Sequence, residues 1–379
     1  MRLKSLLLIG LLLLFYTTAC SQPLESSDSR FHLEVLTDQL EHPWALAFLP
    51  DGEVLISERP GRLRRWHNGQ LDPEPIPGLP EIHASGQGGL LDLALHPEFS
   101  RNRLLYFSYA ARHQQGVTTH VARGRYQAGA LTDVELLLVA EPASRGGRHF
   151  GSRLLFDRAG YLYVTIGDRG EMARAQDRSD LAGSTLRLHA DGRIPVDNPF
   201  VDQEDSHPAL YTFGNRNAQG MALHPATGEV WQHEHGPRGG DEINIIRAGR
   251  NYGWPVISHG IDYTGLRIGE GIREKPGMEQ PLHHWTPSIA PSGMAFYTGD
   301  AFPQWQGNLF VGALAGRHLA RLELEGEQVV AEERLLQDLK QRIRDVRQGP
   351  DGKLWLLTDA PQGAMLRLHP LTRQHRSAP

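Results

Sequence analysis

Arg153-Leu154-Leu155-Phe156-Asp157-Arg158-Ala159-Gly160-Tyr161-Leu162-Tyr163-Val164-Thr165 decides the fold. A short apolar run meets a turn whose Asp and Gly tolerate left-handed backbone, and a stronger aromatic and β-branched run leaves it. That pattern marks two antiparallel strands joined by a hairpin. The plan recurs in Trp44–Ser57, Leu91–Ser108, Gly220–Trp231, Gly293–Val311 and Asp345–Thr358. The six turns fall at Gly52, Asn102, Gly160, Gly228, Gly307 and Gly352, spaced by 50, 58, 68, 79 and 45 residues. Such spacing is too long for a leucine-rich repeat and suits a four-stranded blade with insertions. Six copies therefore predict an all-β protein, a six-bladed β-propeller. Between the copies, Arg62–Trp66 and Leu319–Leu324 alternate polar and apolar residues, as outer strands with one wet face do. A pair of β-sandwiches, the rival architecture, predicts neither six copies nor a shared turn chemistry.

Composition agrees. The chain has 379 residues with 41 Gly and 25 Pro, which favours many turns and short strands over helices. Helix is expected to be scarce, with Ala175–Ala182 a short turn. The net charge of −5 is mild and no Lys/Arg block stands out, so a nucleic-acid partner is not expected. Cys20 is the single cysteine, so no intrachain disulfide can form. It follows Arg2, Lys4, the apolar run Leu6–Phe15 and Thr17-Thr18-Ala19, which together read as a secretory signal peptide over residues 1–19. A Cys directly after the small residue resembles a bacterial lipobox, with Thr17 in place of the usual leucine; simple cleavage after Ala19 is the alternative. Residues 20–30 then form a lipidated amino terminus and polar tether, and 31–379 the propeller, with no domain boundary after residue 30. The expected location is the periplasm, with Cys20 anchored in the outer membrane.

In a propeller the loops at one mouth of the axial channel form the natural ligand site. His149 follows a Gly/Arg-rich loop and precedes an inner strand, where a general base would sit; a lone histidine is more often structural. Arg342 and Arg344 are two apart on a strand and share a face, and with Arg216 they make a cationic cup for carboxylates. Taken singly, each is more simply a solvated edge charge. The stretch His233–Trp254 turns sharply at Gly236-Pro237. There Pro237 brings a carbonyl without an N–H, Gly239-Gly240 allow positive φ, and Asp241 and Glu242 add carboxylates. This oxygen-rich loop suits Ca²⁺, although a Gly-Pro turn with two solvated acids is the plainer reading. His233 and His235 could start a zinc site but lack a third ligand.

Gly86-Gln87-Gly88-Gly89-Leu90-Leu91-Asp92, His149, Ile166-Gly167-Asp168, Gly214–Gly220, His235–Asn244, Asn251–Pro255 and Arg342–Val346 together resemble the soluble quinoprotein glucose and aldose sugar dehydrogenases, over about Leu33 to Leu368. The resemblance implies a six-bladed propeller, pyrroloquinoline quinone (PQQ) and Ca²⁺ as cofactors, and oxidation of aldose sugars to lactones. By position it makes His149 the catalytic base and Asp168 the acid supporting it. Gln87, Arg216, Asn217, Arg342 and Arg344 become PQQ contacts, and the Gly236 and Pro237 carbonyls ligands of the PQQ-bound calcium. Glu242, Tyr252 and Asp262 match a second calcium site. Electrons pass to an artificial or respiratory acceptor, and the protein is a monomer or homodimer. Two departures stand out. Ala315 replaces a PQQ-reaching lysine, leaving either a lower cofactor affinity or substitution by Arg317, and Ala173 replaces a sugar-contacting polar residue, implying broad aldose use. The competing functions are a calcium-dependent lactonase or esterase, and a carbohydrate-binding scaffold using Trp254 and Trp285 as platforms.

Overall fold

The computed structural model describes residues 24–371; Leu6–Phe15 and Cys20, which carry the signal and lipidation readings, lie outside them. The described chain forms six antiparallel sheets. Each hairpin read from the sequence supplies the two inner strands of one sheet: Pro43–Phe48 with Val54–Glu58, Leu90–Leu95 with Leu104–His113, Leu154–Phe156 with Leu162–Ile166, Ala218–Leu223 with Val230–Glu234, Pro291–Phe296 with Leu309–Ala313, and Ile343–Gln348 with Leu354–Thr358. The six innermost strands contact one another in a closed ring, so the fold is the six-bladed β-propeller. Helix among the described residues is limited to Phe99–Asn102 and three short 3-10 turns. One of these, Met172–Gln176, begins just before the turn expected at Ala175–Ala182.

Second strands such as Val54–Glu58, Leu162–Ile166 and Leu354–Thr358 are buried at every position. Neighbouring blades cover both their faces, which is why they read as continuous apolar runs rather than alternating ones. Outer strands such as Gln328–Leu335 keep one side in water and carry charges that discourage edge pairing. At the axis the innermost strands come close enough to need glycine: a Cβ on Gly293 would lie 2.3 Å from the Val346 nitrogen.

The ring is closed by the chain's two ends. Arg30–Leu40 pairs antiparallel with Gly363–Pro370, so the sixth sheet is built from both termini. The stretch expected as a free tether differs from that expectation in its described part. Leu24–Glu25 folds back on Arg30–Phe31. Asp28 accepts from Arg321 at 2.8 Å and from the Trp305 indole at 3.1 Å, which pins the segment to the fifth blade. Arg321 is buried and has no closer source of compensating charge than Asp28, Glu323 and Glu333, so docking satisfies a buried cation.

Mid-channel, Arg153 donates to Asp92 at 3.0 Å and Asp345 at 3.2 Å, and Arg347 bonds both carboxylates at 2.9 Å. These two cations and two anions, from three blades, form a closed polar plug beneath the site.

Candidate active site

Loops that enter the innermost strands, loops that leave the second ones and the long loop of the fourth blade line two adjoining chambers at one mouth of the channel. The inner, of about 230 Å³, is walled by Trp44, Arg59, Asn217, Arg342, Arg344 and Asp359. The outer, of about 450 Å³, is walled by His149, Asp168, Arg216, Pro237, Trp254 and Asp262. Gln87 and Tyr263 line both.

His149 sits in left-handed backbone, φ 54°, directly before the third blade. Such a conformation in a non-glycine residue needs support, and Gln87 gives it: its side-chain oxygen accepts the His149 N–H at 2.8 Å. The His149 Nδ1 lies 2.6 Å from Asp168 Oδ1. Asp168 is fully buried and also accepts the Gly170 N–H at 2.7 Å and the Trp254 indole N–H at 2.8 Å. Burial opposes its ionisation, but the His149 hydrogen bond and its other donors hold the carboxyl below its ordinary range. An ionised Asp168 can only accept, so Nδ1 carries the proton and Nε2 keeps its lone pair. Burial, only partly offset by Asp168, pushes the imidazole below its ordinary value of 6.5. His149 is therefore a neutral base at neutral pH, on the wall of the outer chamber.

Arg342 and Arg344 do share a face, as their spacing predicts, and both reach Asp359, at 2.9 and 3.5 Å. Sequence reading missed Asp359, which lies on the turn after the neighbouring strand Leu354–Thr358 and carries no motif. It also missed Arg59, which lines the same chamber. Arg344 donates to Gln219 at 3.1 Å, while its Nε is buried without a partner. Burial lowers the Arg344 pKa to about 10, so the cation survives at neutral pH. Arg317 is exposed and does not line the chamber, so of the two alternatives for the missing lysine, substitution by Arg317 is not what the fold provides. Asn217 orders the chamber wall, its oxygen accepting the Gly151 N–H at 3.1 Å.

The Gly236-Pro237 loop also has its own internal order. Gly239 and Gly240 take φ of 115° and 72°, as expected. Asp241 turns inward, where it accepts the N–H groups of Gly236, Ile289 and Ala290 and the Ser288 hydroxyl. It holds the turn and has no oxygen to spare, whereas the sequence offered it as a metal carboxylate. Arg216 donates to the Gly236 carbonyl at 3.0 Å and to that of His235 at 3.1 Å, placing its guanidinium between the chambers and the loop.

The residues matched to a second calcium make different contacts. Glu242 lies across the sheet from Glu234 and His284, and burial with the nearby Glu234 charge raises its pKa well above its ordinary value. The Tyr252 hydroxyl donates to the Ile245 carbonyl at 2.6 Å and accepts the Arg247 N–H. Asp262 instead lines the outer chamber, its side chain capping the turn at Thr264. Among the described residues no three of His, Cys, Asp or Glu converge on one point. Trp285 is buried, with its indole N–H on Glu332, and offers no platform at the mouth. Met172 reaches the outer chamber, while Ala173 beside it does not line it.

Comparison with known proteins fits this geometry. Residues 40–367 match the glucose/sorbosone dehydrogenase family. The chain is 44% identical over 355 residues to aldose sugar dehydrogenase YliI of Escherichia coli strain K12, covering 92% of this chain and 96% of that protein. It superposes on the apo form of the soluble aldose sugar dehydrogenase from Escherichia coli with a TM-score of 0.88 at 44% identity, covering 90% and 100% of the two chains. On the PQQ-bound form of the aldose sugar dehydrogenase from Streptomyces coelicolor the TM-score is 0.73 at 27% identity, covering 90% and 99%.

Proposed function

This chain belongs to the glucose/sorbosone dehydrogenase family and is a sugar dehydrogenase, and we propose that it oxidises aldoses at C1 to the lactone using PQQ and Ca²⁺, passing the electrons to an external acceptor. The observation that carries this reading is a neutral His149 beside a chamber whose cations outnumber its anions. Arg342 and Arg344 face the single carboxylate Asp359, and the buried Arg344 Nε awaits a partner. A tricarboxylate such as PQQ fits that deficit. Arg342, Arg344, Arg216, Asn217 and Gln87 would hold it, and the Gly236 and Pro237 carbonyls would supply calcium ligands.

When bound, PQQ supplies a two-electron quinone acceptor and Ca²⁺ a Lewis acid. The protein's own part is positioning and proton transfer. His149 Nε2 accepts the proton of the anomeric hydroxyl, which is the proton the sugar must lose as its C1–H bond is oxidised. Asp168 fixes the imidazole's tautomer and stabilises the imidazolium that results. Trp254 and Gly170 keep Asp168 from turning away. Tyr263, which lines both chambers, would form part of the wall around bound sugar and cofactor.

The test is reconstitution. Purified protein incubated with PQQ and Ca²⁺ should reduce an artificial dye when given glucose or another aldose. Failure with every aldose would overturn the assignment, and lactone hydrolysis without PQQ would favour a lactonase instead. Export and lipidation at Cys20 rest on the amino-terminal sequence; the intact mass of the mature amino terminus, acylated or free, tests them.

A further inference from the structure

The inner chamber holds a third guanidinium. Of its three arginines, Arg342 and Arg344 both reach Asp359. Arg59 alone makes no side-chain hydrogen bond or ion pair to a described residue. Its backbone, by contrast, is fixed on both sides: the Arg59 N–H donates to the His42 carbonyl at 3.0 Å, and its carbonyl accepts the Leu90 N–H at 3.1 Å. Gly89 packs directly on it. A Cβ there would lie 1.9 Å from the Arg59 carbonyl oxygen and 2.6 Å from Cγ, so only glycine lets the arginine stem pass. The fold thus spends a glycine contact and two hydrogen bonds on placing a cation that has no protein partner. Three guanidiniums against one carboxylate leave an excess of two positive charges in the inner chamber.

We propose that Arg59 is a cofactor-positioning residue, its guanidinium pairing with a carboxylate of bound PQQ. This rests on the cofactor reading above. The alternative cation, Arg317, is exposed and outside the chamber lining.

Binding of PQQ to the purified apo-protein, followed by quenching of intrinsic tryptophan fluorescence, tests it without turnover. The proteins compared are the wild type, Arg59→Gln, Arg59→Lys and Arg317→Gln. Loss of one charge-assisted contact should raise the Kd of Arg59→Gln about tenfold to a hundredfold. Arg59→Lys keeps the charge on a flexible stem and should recover part of that loss, and Arg317→Gln should bind as the wild type does. Added salt should weaken Arg59→Gln less steeply than the wild type, because one fewer charge pair is screened. Apo-protein melting separates a folding defect from a binding one, and should Arg59→Gln fail to fold, Arg59→Lys carries the comparison. A Kd within twofold of wild type in Arg59→Gln, with tight wild-type binding, overturns this assignment alone. A wild type that binds no PQQ overturns the cofactor reading and this assignment with it.

Discussion

Trp254 donates its indole N–H to Asp168 Oδ2 at 2.8 Å, while His149 takes Oδ1 of the same carboxylate at 2.6 Å. The indole comes from the long loop of the fourth blade and the acid from the third. The base is thus braced across a blade boundary, and the strength of that brace should be readable in kinetics.

Trp254→Phe keeps the ring's bulk but removes one donor to Asp168. A lost hydrogen bond of about 1 kcal/mol predicts a kcat/KM about fivefold lower, with melting temperature little changed. Asp168→Asn should cost about 10²-fold or more, because the amide no longer fixes the tautomer or stabilises the imidazolium. His149→Ala should cost about 10²- to 10⁴-fold while PQQ still binds. Equal losses in all three variants would contradict the graded brace.

The pH profile follows from the direction of the His149 shift. Burial pushes its pKa below 6.5, and the neutral form is the base. The acid limb of kcat/KM should therefore fall below pH 6.5. For stability the sign is the same: the folded state disfavours the imidazolium. This contribution is present above the unfolded pKa and is lost as pH falls through the folded one. Denaturation of wild type and His149→Ala at pH 7 and pH 5 checks it. Wild type should lose more stability on acidification than the variant does.

Asp359 holds both cup arginines while burial opposes its ionisation; Arg344 and Arg342 win, and the carboxyl stays well below its usual range. Asp359→Asn leaves the buried Arg344 without its counter-charge, a loss of about 3 kcal/mol on the scale of a broken buried pair. Cofactor carboxylates should then stabilise the variant more than the wild type. The expected result is a lower apo melting temperature and a larger upward shift on adding PQQ. An equal shift in both proteins would sink this account.

Arg153 in the axial plug is a structural charge. Arg153→Met strands Asp92 and Asp345 with Arg347 alone, and should cost about 3–5 kcal/mol in denaturant unfolding. Asp92 is fully buried, and burial raises its pKa. The urea m-value should be unchanged if the variant's native state stays closed.

Much of this molecule was legible beforehand because its information is local. A hairpin's strands and its turn lie within 12 to 19 residues, so six of them could be counted, and they are the inner pairs of the six blades. Arg342 and Arg344 converge because two-residue spacing on a strand is also local. Asp359 was invisible: it sits in the Asp359-Ala360 turn with no motif, and acquires meaning only when the neighbouring strand brings it beneath Arg342. Asp241 was misjudged for the opposite reason. Its sequence context promises an exposed acid, whereas the Gly236 N–H of its own loop and the distant Ser288–Ala290 segment turn their donors onto it. Arg59 hid in an ordinary strand-end turn, and nothing but the ring places it opposite Arg344. The docking of Asp28 on Arg321, nearly 300 positions away, has no sequence signal at all.

The pairing of Arg30–Leu40 with Gly363–Pro370 also sets an order of events. On a ribosome the first strand of the circle is made long before its mate, so it must remain unlatched until Gly363–Pro370 has been added. Blades one to five can accumulate earlier, but His149, Arg216 and Arg344 face a common space only once the circle shuts. A chain cut short before Gly363 would have most of its sheets and an open seam in place of a pocket, with a bare strand edge inviting its neighbours.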